Sequence, residues 1–300
     1  MFNQVTIIGC GLIGSSVLRS LKKNGSIKKL VSYDKDKSVI EIIKKINISD
    51  EIASDLSESV KNSDLVLIST PISSFEEIIS SIKNNLKPGS ILTDTCSVKK
   101  GVNETVKKMN LKNSTWIPAH PVAGTENSGP NAGVANLFKD KWTILTPSKN
   151  VQERDIKKVS AFWELMGSKV KIMSVEDHDK ILSLTSHLPH VIAYNIVKTT
   201  MDNNEKIKND IIRYSAGGLR DFTRIAASEP KMWRDIFIDN SNLIIEAIDK
   251  FGKSLDEFKK AIAEKDSKKL LEIFEKSKEF RKSIIKAGQD TDKPDFGRNN

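Results

Sequence analysis

The sequence predicts an α/β domain built on a parallel sheet, followed by an all-α domain. Three observations carry this. Short apolar, β-branched runs alternate with helical patterns up to about residue 174. Beyond that point strands stop, and helical periodicity holds to about residue 287. A glycine-rich turn, Gly9-Cys10-Gly11-Leu12-Ile13-Gly14, joins the first strand directly to the first helix. The expected divisions are residues 1–174 for the sheet domain, 175–288 for the helical domain and 289–300 for a polar, disordered tail. A chain of 300 residues suits two ordinary domains.

Composition sets the class. The chain is 38% apolar and 29% charged, which fits a soluble globular protein. No apolar run approaches the roughly 20 residues of a membrane span. No basic or signal-like leader precedes Phe2-Asn3-Gln4-Val5, so the expected location is the cytoplasm, with no membrane partner. The net charge of +9 comes from lysines scattered over helical segments. No basic block interleaved with aromatics is present, so nucleic acid is not an expected partner. The excess charge solvates helix faces and attracts small anions. Cys10 and Cys96 each follow an apolar strand, and two isolated thiols make neither a disulfide framework nor a metal site.

Taken in order, residues 5–8 are a strand and residues 15–23 a helix with Val17, Leu18 and Leu21 on one side. In the turn between them, Gly9 permits the tight bend, Gly11 lets a pyrophosphate approach the backbone, and Gly14 lets the helix pack on the strand. The helix N-terminus, from Leu12 and Ile13 onward, faces the phosphate charge. The next strand, 30–33, ends in Asp34, 20 residues past Gly14. A carboxylate there accepts hydrogen bonds from a ribose diol and repels a 2′-phosphate, which favours NAD over NADP. Lys35 beside it weakens that preference. Together these make the first domain Rossmann-type. Residues 64–70 read as a buried strand stopped by Pro71, residues 75–85 as a helix, and 90–94 as a strand. Ligands bind at the carboxyl ends of such strands, which here are Thr70-Pro71, Asp94-Thr95-Cys96-Ser97 and Ala119-His120. Ser97 precedes a helical run, where it serves as N-cap, ligand or both. Late strands are expected at 141–145 and 169–173, around a helix at 152–166.

The densest chemistry follows the apolar run 115–119. His120-Pro121-Val122-Ala123-Gly124-Thr125-Glu126-Asn127-Ser128-Gly129 carries a histidine, a carboxylate and two hydroxyls, and His120 at a strand end is a candidate acid or base. In the helical half, His178 among acids at a helix start reads as a buried histidine bonded to backbone. His187 and His190 flank Pro189, which marks a kink or a helix start. Gly217-Gly218 interrupts the helical pattern, and Arg220, Asp221 and Arg224 bring charge into an apolar segment. That arrangement is either a surface ion pair or an arginine fork for a carboxylate held by Asp221. Helices are expected at 235–251, 255–265 and 267–287, with apolar stripes that need a partner such as a second copy of the chain.

Taken together, Gly9 to Gly14, Asp94-Thr95-Cys96-Ser97-Val98-Lys99, His120-Pro121-Val122-Ala123-Gly124-Thr125-Glu126, Ser186-His187-Leu188-Pro189-His190 and Asp221-Phe222-Thr223-Arg224-Ile225-Ala226 resemble the TyrA-type prephenate/arogenate (cyclohexadienyl) dehydrogenases in content and order. The resemblance covers about residues 3–287, and the last four motifs in combination are specific. Cys96 departs from the glycine often found there. The resemblance implies a Rossmann-type parallel-sheet domain followed by an all-α C-terminal dimerisation domain, NAD as cofactor, and a homodimer formed through the helical domain. It implies oxidative decarboxylation of prephenate to 4-hydroxyphenylpyruvate, with arogenate as the alternative substrate. By the same resemblance, His120 matches the proton acceptor and Ser97 a serine near the same hydroxyl. Arg224 matches the carboxylate-binding arginine, with Asp221 orienting it, and His190 a further pocket histidine. Glu126 and Gly217 match pocket-lining positions, and Trp233 a tryptophan reaching in from the neighbouring subunit. A hydroxyacid or imine reductase of the same architecture, or a non-catalytic NAD-binding regulator, would leave the His120 and Asp221-to-Arg224 stretches without a role.

Overall fold

A computed structural model describes residues 2–289. Six parallel strands, β1 (Gln4–Ile8), β2 (Lys29–Tyr33), β3 (Glu51–Ile52), β4 (Leu65–Ile68), β5 (Ile91–Asp94) and β6 (Thr115–Trp116), form one sheet in the order β3-β2-β1-β4-β5-β6. Alternate residues feed two cores. Val5, Ile7, Leu65 and Leu67 face α1 (Leu12–Asn24), while Ile8, Val66, Ile68 and Leu92 face the opposite layer. That layer holds Val60, Phe75, Ile79 and Val102, buried with α2 (Lys37–Ile46) elsewhere, α3 (Phe75–Ile82) and α4 (Lys100–Met109) supplying the helices. Strands buried on both faces are the reason these runs are continuously apolar. The strand order reverses between β1 and β4, which opens a crevice at their carboxyl ends.

The late strands depart from the expected single sheet. β7 (Ala119–Pro121), β8 (Trp142–Leu145) and β9 (Lys169–Ile172) form a second sheet, with β7 antiparallel to β8 and α5 (Glu153–Glu164) between β8 and β9. The run 115–119 is therefore not one strand. Ile117 still donates to Leu92, but Pro118 has no N–H to continue the ladder, and its carbonyl instead accepts from Thr146 in the second sheet. The chain thus changes sheets one residue before His120.

The helical part comprises α6 (Val175–Leu182), a π-helical turn (Ser183–His187), α7 (Leu188–Met201), α8 (Glu205–Tyr214), α9 (Gly217–Thr223), α10 (Pro230–Asp239), α11 (Ser241–Ala263) and α12 (Ser267–Lys286). Pro189 sits in the first turn of α7, where its missing N–H is tolerated. Gly217 and Gly218 open α9, and the break lies before them at Ser215 and Ala216. The expected helices at 235–251 and 255–265 are corrected. The interruption comes at Asn240, and α11 runs unbroken through Gly252, because an interior glycine weakens a helix by only about 1 kcal/mol. By packing, residues up to 244 form one compact unit and those from 245 another. The first therefore includes α6 to α10 as well as both sheets. In the second, Phe258 and Phe274 pack ring on ring at 6.0 Å, and Phe251, Leu255, Leu271, Phe274 and Phe280 present exposed apolar surface. The expectation of a disordered tail falls on residues that, after Gln289, lie outside those described.

Candidate active site

The glycine turn does what its spacing predicts. A Cβ on Gly9, whose φ is +89°, would lie 2.5 Å from the Ser69 carbonyl oxygen, and one on Gly14 would lie 2.0 Å from the Gly9 carbonyl oxygen. At Gly11 nothing lies within 4 Å, so the turn is open there to an incoming group. Helix α1 starts at Leu12, earlier than expected, with Gly11 as an N-cap that offers no side chain. Its first N–H groups are free donors for a phosphate. Asp34 ties β2 to this turn, accepting the Cys10 N–H at 2.7 Å and the Asp36 N–H at 2.9 Å. Across the switch point, Thr70 Oγ1 is buried without a partner beside Pro71 at the end of β4. An open backbone cradle, a helix N-terminus, an acid at the end of β2 and an orphaned hydroxyl fit NAD.

The second cluster is built around His120, on β7 and 7% exposed. Its Nδ1 lies 2.8 Å from Nε2 of His178, a fully buried residue of α6. His178 Nδ1 lies 2.7 Å from Asp179 Oδ1. The expected backbone partner for His178 is thus corrected to this side-chain chain. Its direction follows from the acid. Asp179, held below the usual carboxylate range against its burial by His178 and the Lys99 and Lys100 N–H groups, has only acceptors to offer. His178 Nδ1 therefore donates to Asp179, its Nε2 accepts from His120 Nδ1, and the lone pair of His120 is left on Nε2. Burial, then His178, Lys99 and His187, hold the proton affinity of His120 well below the ordinary histidine value. His120 is thus a neutral acceptor at neutral pH.

The remaining predicted residues lie on the turn after β5, the loop after β7, and helices α7, α9 and α10 with the short turn after α9. Ser97 is half-buried on the turn after β5, and the N-cap of α4 is Lys99, not Ser97. Asp179 closes that helix end instead, accepting from the N–H groups of Lys99 and Lys100 at 2.9 Å each. His190, on α7, bonds the Ser186 carbonyl through Nδ1 at 2.8 Å and stacks on Trp233 at 3.5 Å. Trp233 is 6% exposed and packs with Val98 and Ile236 of its own chain. Arg224 Nη1 donates to Glu126 Oε2 at 2.8 Å, so the loop after His120 holds the arginine. Asp221 accepts from Arg220 Nε at 3.4 Å, and Gly217 stands one helical turn before it.

Sequence reasoning missed His178, Asp179, Lys99, Asp94 and His187 as parts of this centre. His187 Nδ1 takes Asn240 Nδ2 at 3.1 Å, its Nε2 is buried without a partner, and burial brings it down to about 4. The signals available were the Asp177-His178-Asp179 run, with an acid on either side of a histidine, and the motifs 94–99 and 186–190, which contain Asp94, Lys99 and His187.

Two family models match in order: the nucleotide-binding domain of prephenate dehydrogenase over residues 17–172 and its dimerization domain over 174–276. The chain is 39% identical to a cyclohexadienyl dehydrogenase of Zymomonas mobilis, over 95% of this chain and 97% of that one. It is 28% identical to a prephenate dehydrogenase of Bacillus subtilis, over 95% and 76%. Among solved structures, prephenate dehydrogenase of Aquifex aeolicus in complex with hydroxyphenyl propionate and NAD+ superimposes with a TM-score of 0.88 at 34% identity, over 95% of this chain and 99% of that one. The chain carrying this neutral histidine beside a dinucleotide cradle is an NAD-dependent oxidoreductase and belongs to the prephenate dehydrogenase family.

Proposed function

We propose that the protein converts prephenate to 4-hydroxyphenylpyruvate and CO2, with His120 accepting the proton of the ring hydroxyl. The observation that carries this is the Asp179–His178–His120 chain, which leaves a lone pair on His120 Nε2. Bound NAD+ supplies a hydride acceptor. The substrate's carbinol carbon loses hydride as its hydroxyl proton goes to His120. The resulting dienone loses the ring carboxylate as CO2, and the electron pair left behind aromatises the ring. His120 then returns its proton to the phenolate oxygen, so the base needs no proton outlet. Little else is required beyond positioning.

In this reading Ser97 hydrogen-bonds near the same hydroxyl. Arg224 exchanges Glu126 for a substrate carboxylate, with Asp221 nearby, and His190, Trp233 and Gly217 line the pocket. Gly9, Gly11, Leu12, Ile13, Gly14, Asp34, Thr70 and Pro71 hold the cofactor. The exposed apolar residues of α11 and α12 join two copies into a homodimer, residues 1–174 and 175–288 act as cofactor and substrate/dimerisation domains, and the enzyme works in the cytoplasm. The name of the Zymomonas relative favours a second reading, in which arogenate is also accepted and yields tyrosine directly. The test is NADH or NADPH formation with prephenate or arogenate and NAD+ or NADP+, respectively, in separate reactions, beside His120→Asn. Turnover of neither substrate while NAD+ still binds would leave the cofactor domain standing and refute the substrate assignment.

A further inference from the structure

His120 as the base is the reading on which this inference rests. Beneath that histidine lies a buried ion pair for which the reaction as derived has no use. Lys99 is 0% exposed, and its Nζ donates to Asp94 Oδ2 at 2.5 Å and to the Ala119 carbonyl at 2.6 Å. Asp94, equally buried, accepts the Ala119 N–H on Oδ1 and the Cys96 N–H on Oδ2, each at 2.9 Å. One pair therefore grips the peptide groups on both sides of Ala119, the residue before His120. The Lys99 backbone N–H also donates to Asp179 Oδ1, the same oxygen that takes His178 Nδ1. A single residue thus touches both supports of the proton-accepting chain, β7 through its side chain and α6 through its backbone.

We propose that Lys99 and Asp94 are positioning residues for the dehydrogenation, fixing His120 against His178 and setting the charge that its ring faces. Stability alone is a poor account of the pair, because an apolar pair of the same volume fills such a site without desolvating two charges. An apolar pair would leave both peptide groups of Ala119 unpartnered and would remove the fixed cation from below the base. The ring of His120 faces His178, backed by Asp179, from α6, His187 from the π-helical turn, and Lys99, backed by Asp94, from the turn after β5. Among these, Lys99 is the cation, ion-paired with Asp94.

The test compares Lys99→Met and Asp94→Asn with wild type and His120→Asn, all in the full chain. Both variants should lower kcat about 10- to 100-fold with KM for prephenate changed less than about threefold, as misplacement of a reacting group does. The acid limb of kcat/KM should move in opposite directions, by about half a pH unit or more. It rises in Lys99→Met, where the cation is gone, and falls in Asp94→Asn, where the cation has lost its counter-charge. A pair that only stabilises the fold would not produce opposite shifts. Cofactor binding, followed by quenching of protein fluorescence with NAD+, reports folding, and if one variant alone folds, the direction of its shift decides. Wild-type kcat in both variants, shifts of the same sign, unmoved acid limbs, or loss of NAD+ binding in both would overturn the proposal. Full turnover in His120→Asn would instead overturn the reading of the base, whatever the other two variants do.

Discussion

His120 and Arg224 would handle the two ends of one small substrate, yet they are built in opposite ways. The histidine is almost wholly buried, and it is tied back to Asp94 and Asp179 by bonds of 2.5 to 2.9 Å. The arginine is half exposed and held by one carboxylate from the loop after β7. A base must keep one tautomer, and a chain of bonds that ends on a carboxylate enforces it. A clamp must let its ligand in and out, and an exposed ion pair is cheap to exchange. On the proposed reading, rigidity sits where the proton moves, and exchange sits where the substrate enters.

That contrast sharpens most at the base. His120→Asn keeps a polar side chain at the site and removes the proton acceptor, so kcat should fall about 10²- to 10⁴-fold, the span of general-base catalysis, with KM little changed. Stopped-flow NADH formation checks this, and a loss confined to KM would place the proton elsewhere. Arg224→Gln should do the converse. Losing a charge-assisted bond to a carboxylate raises KM for prephenate about 10- to 100-fold and lowers kcat less. An equal fall in kcat would mean that the clamp also orients the ring.

Acidity separates the two regions in a different way. His120, His178 and His187 are buried and, chiefly by desolvation, held below the ordinary histidine range. Below about pH 6.5 the unfolded chain takes up protons that the folded chain refuses, so stability is full above that pH and declines as pH falls beneath it. Each such histidine removes up to about 1.4 kcal/mol per pH unit until its own folded value is reached. Calorimetry should show Tm dropping from pH 7 to 5, while KM for prephenate holds over pH 7 to 6, because the clamp's arginine does not titrate. A flat Tm would mean that the histidines are less buried than the fold makes them.

The two regions also differ in how far the chain announces them. The cofactor cradle is local: six consecutive residues set the turn, and the helix follows at once, so its chemistry was legible from spacing alone. His120 was legible as a histidine at a strand end, and Arg224 as charge in an apolar segment. The partners of each were not. His178 stands 58 residues from His120 and is brought to it on α6, which packs against α4. Lys99 stood in a quoted motif without a role, yet it is wholly buried, because only the fold brings Asp94 and the Ala119 carbonyl together around it. Pro118 was visible, but its consequence, a change of sheet, depended on Thr146 arriving from elsewhere.

The smallest expected effect tests whether the exposed pair is a true competitor. Glu126 lies below the usual carboxylate range, through a backbone hydrogen bond first and then Arg224, so it is charged throughout the working range. It must leave Arg224 when a substrate carboxylate arrives. Arg224 and Glu126 are 54% and 35% exposed, and a pair that open to water is worth about 0.2 to 1 kcal/mol. Glu126→Gln should therefore lower KM for prephenate by no more than about fivefold and leave kcat alone. A rise in KM would carry the opposite meaning, that the carboxylate aims the arginine rather than occupying it. The exposed end of the site would then be as pre-arranged as the buried one, and the division between a fixed base and an exchangeable clamp would fail.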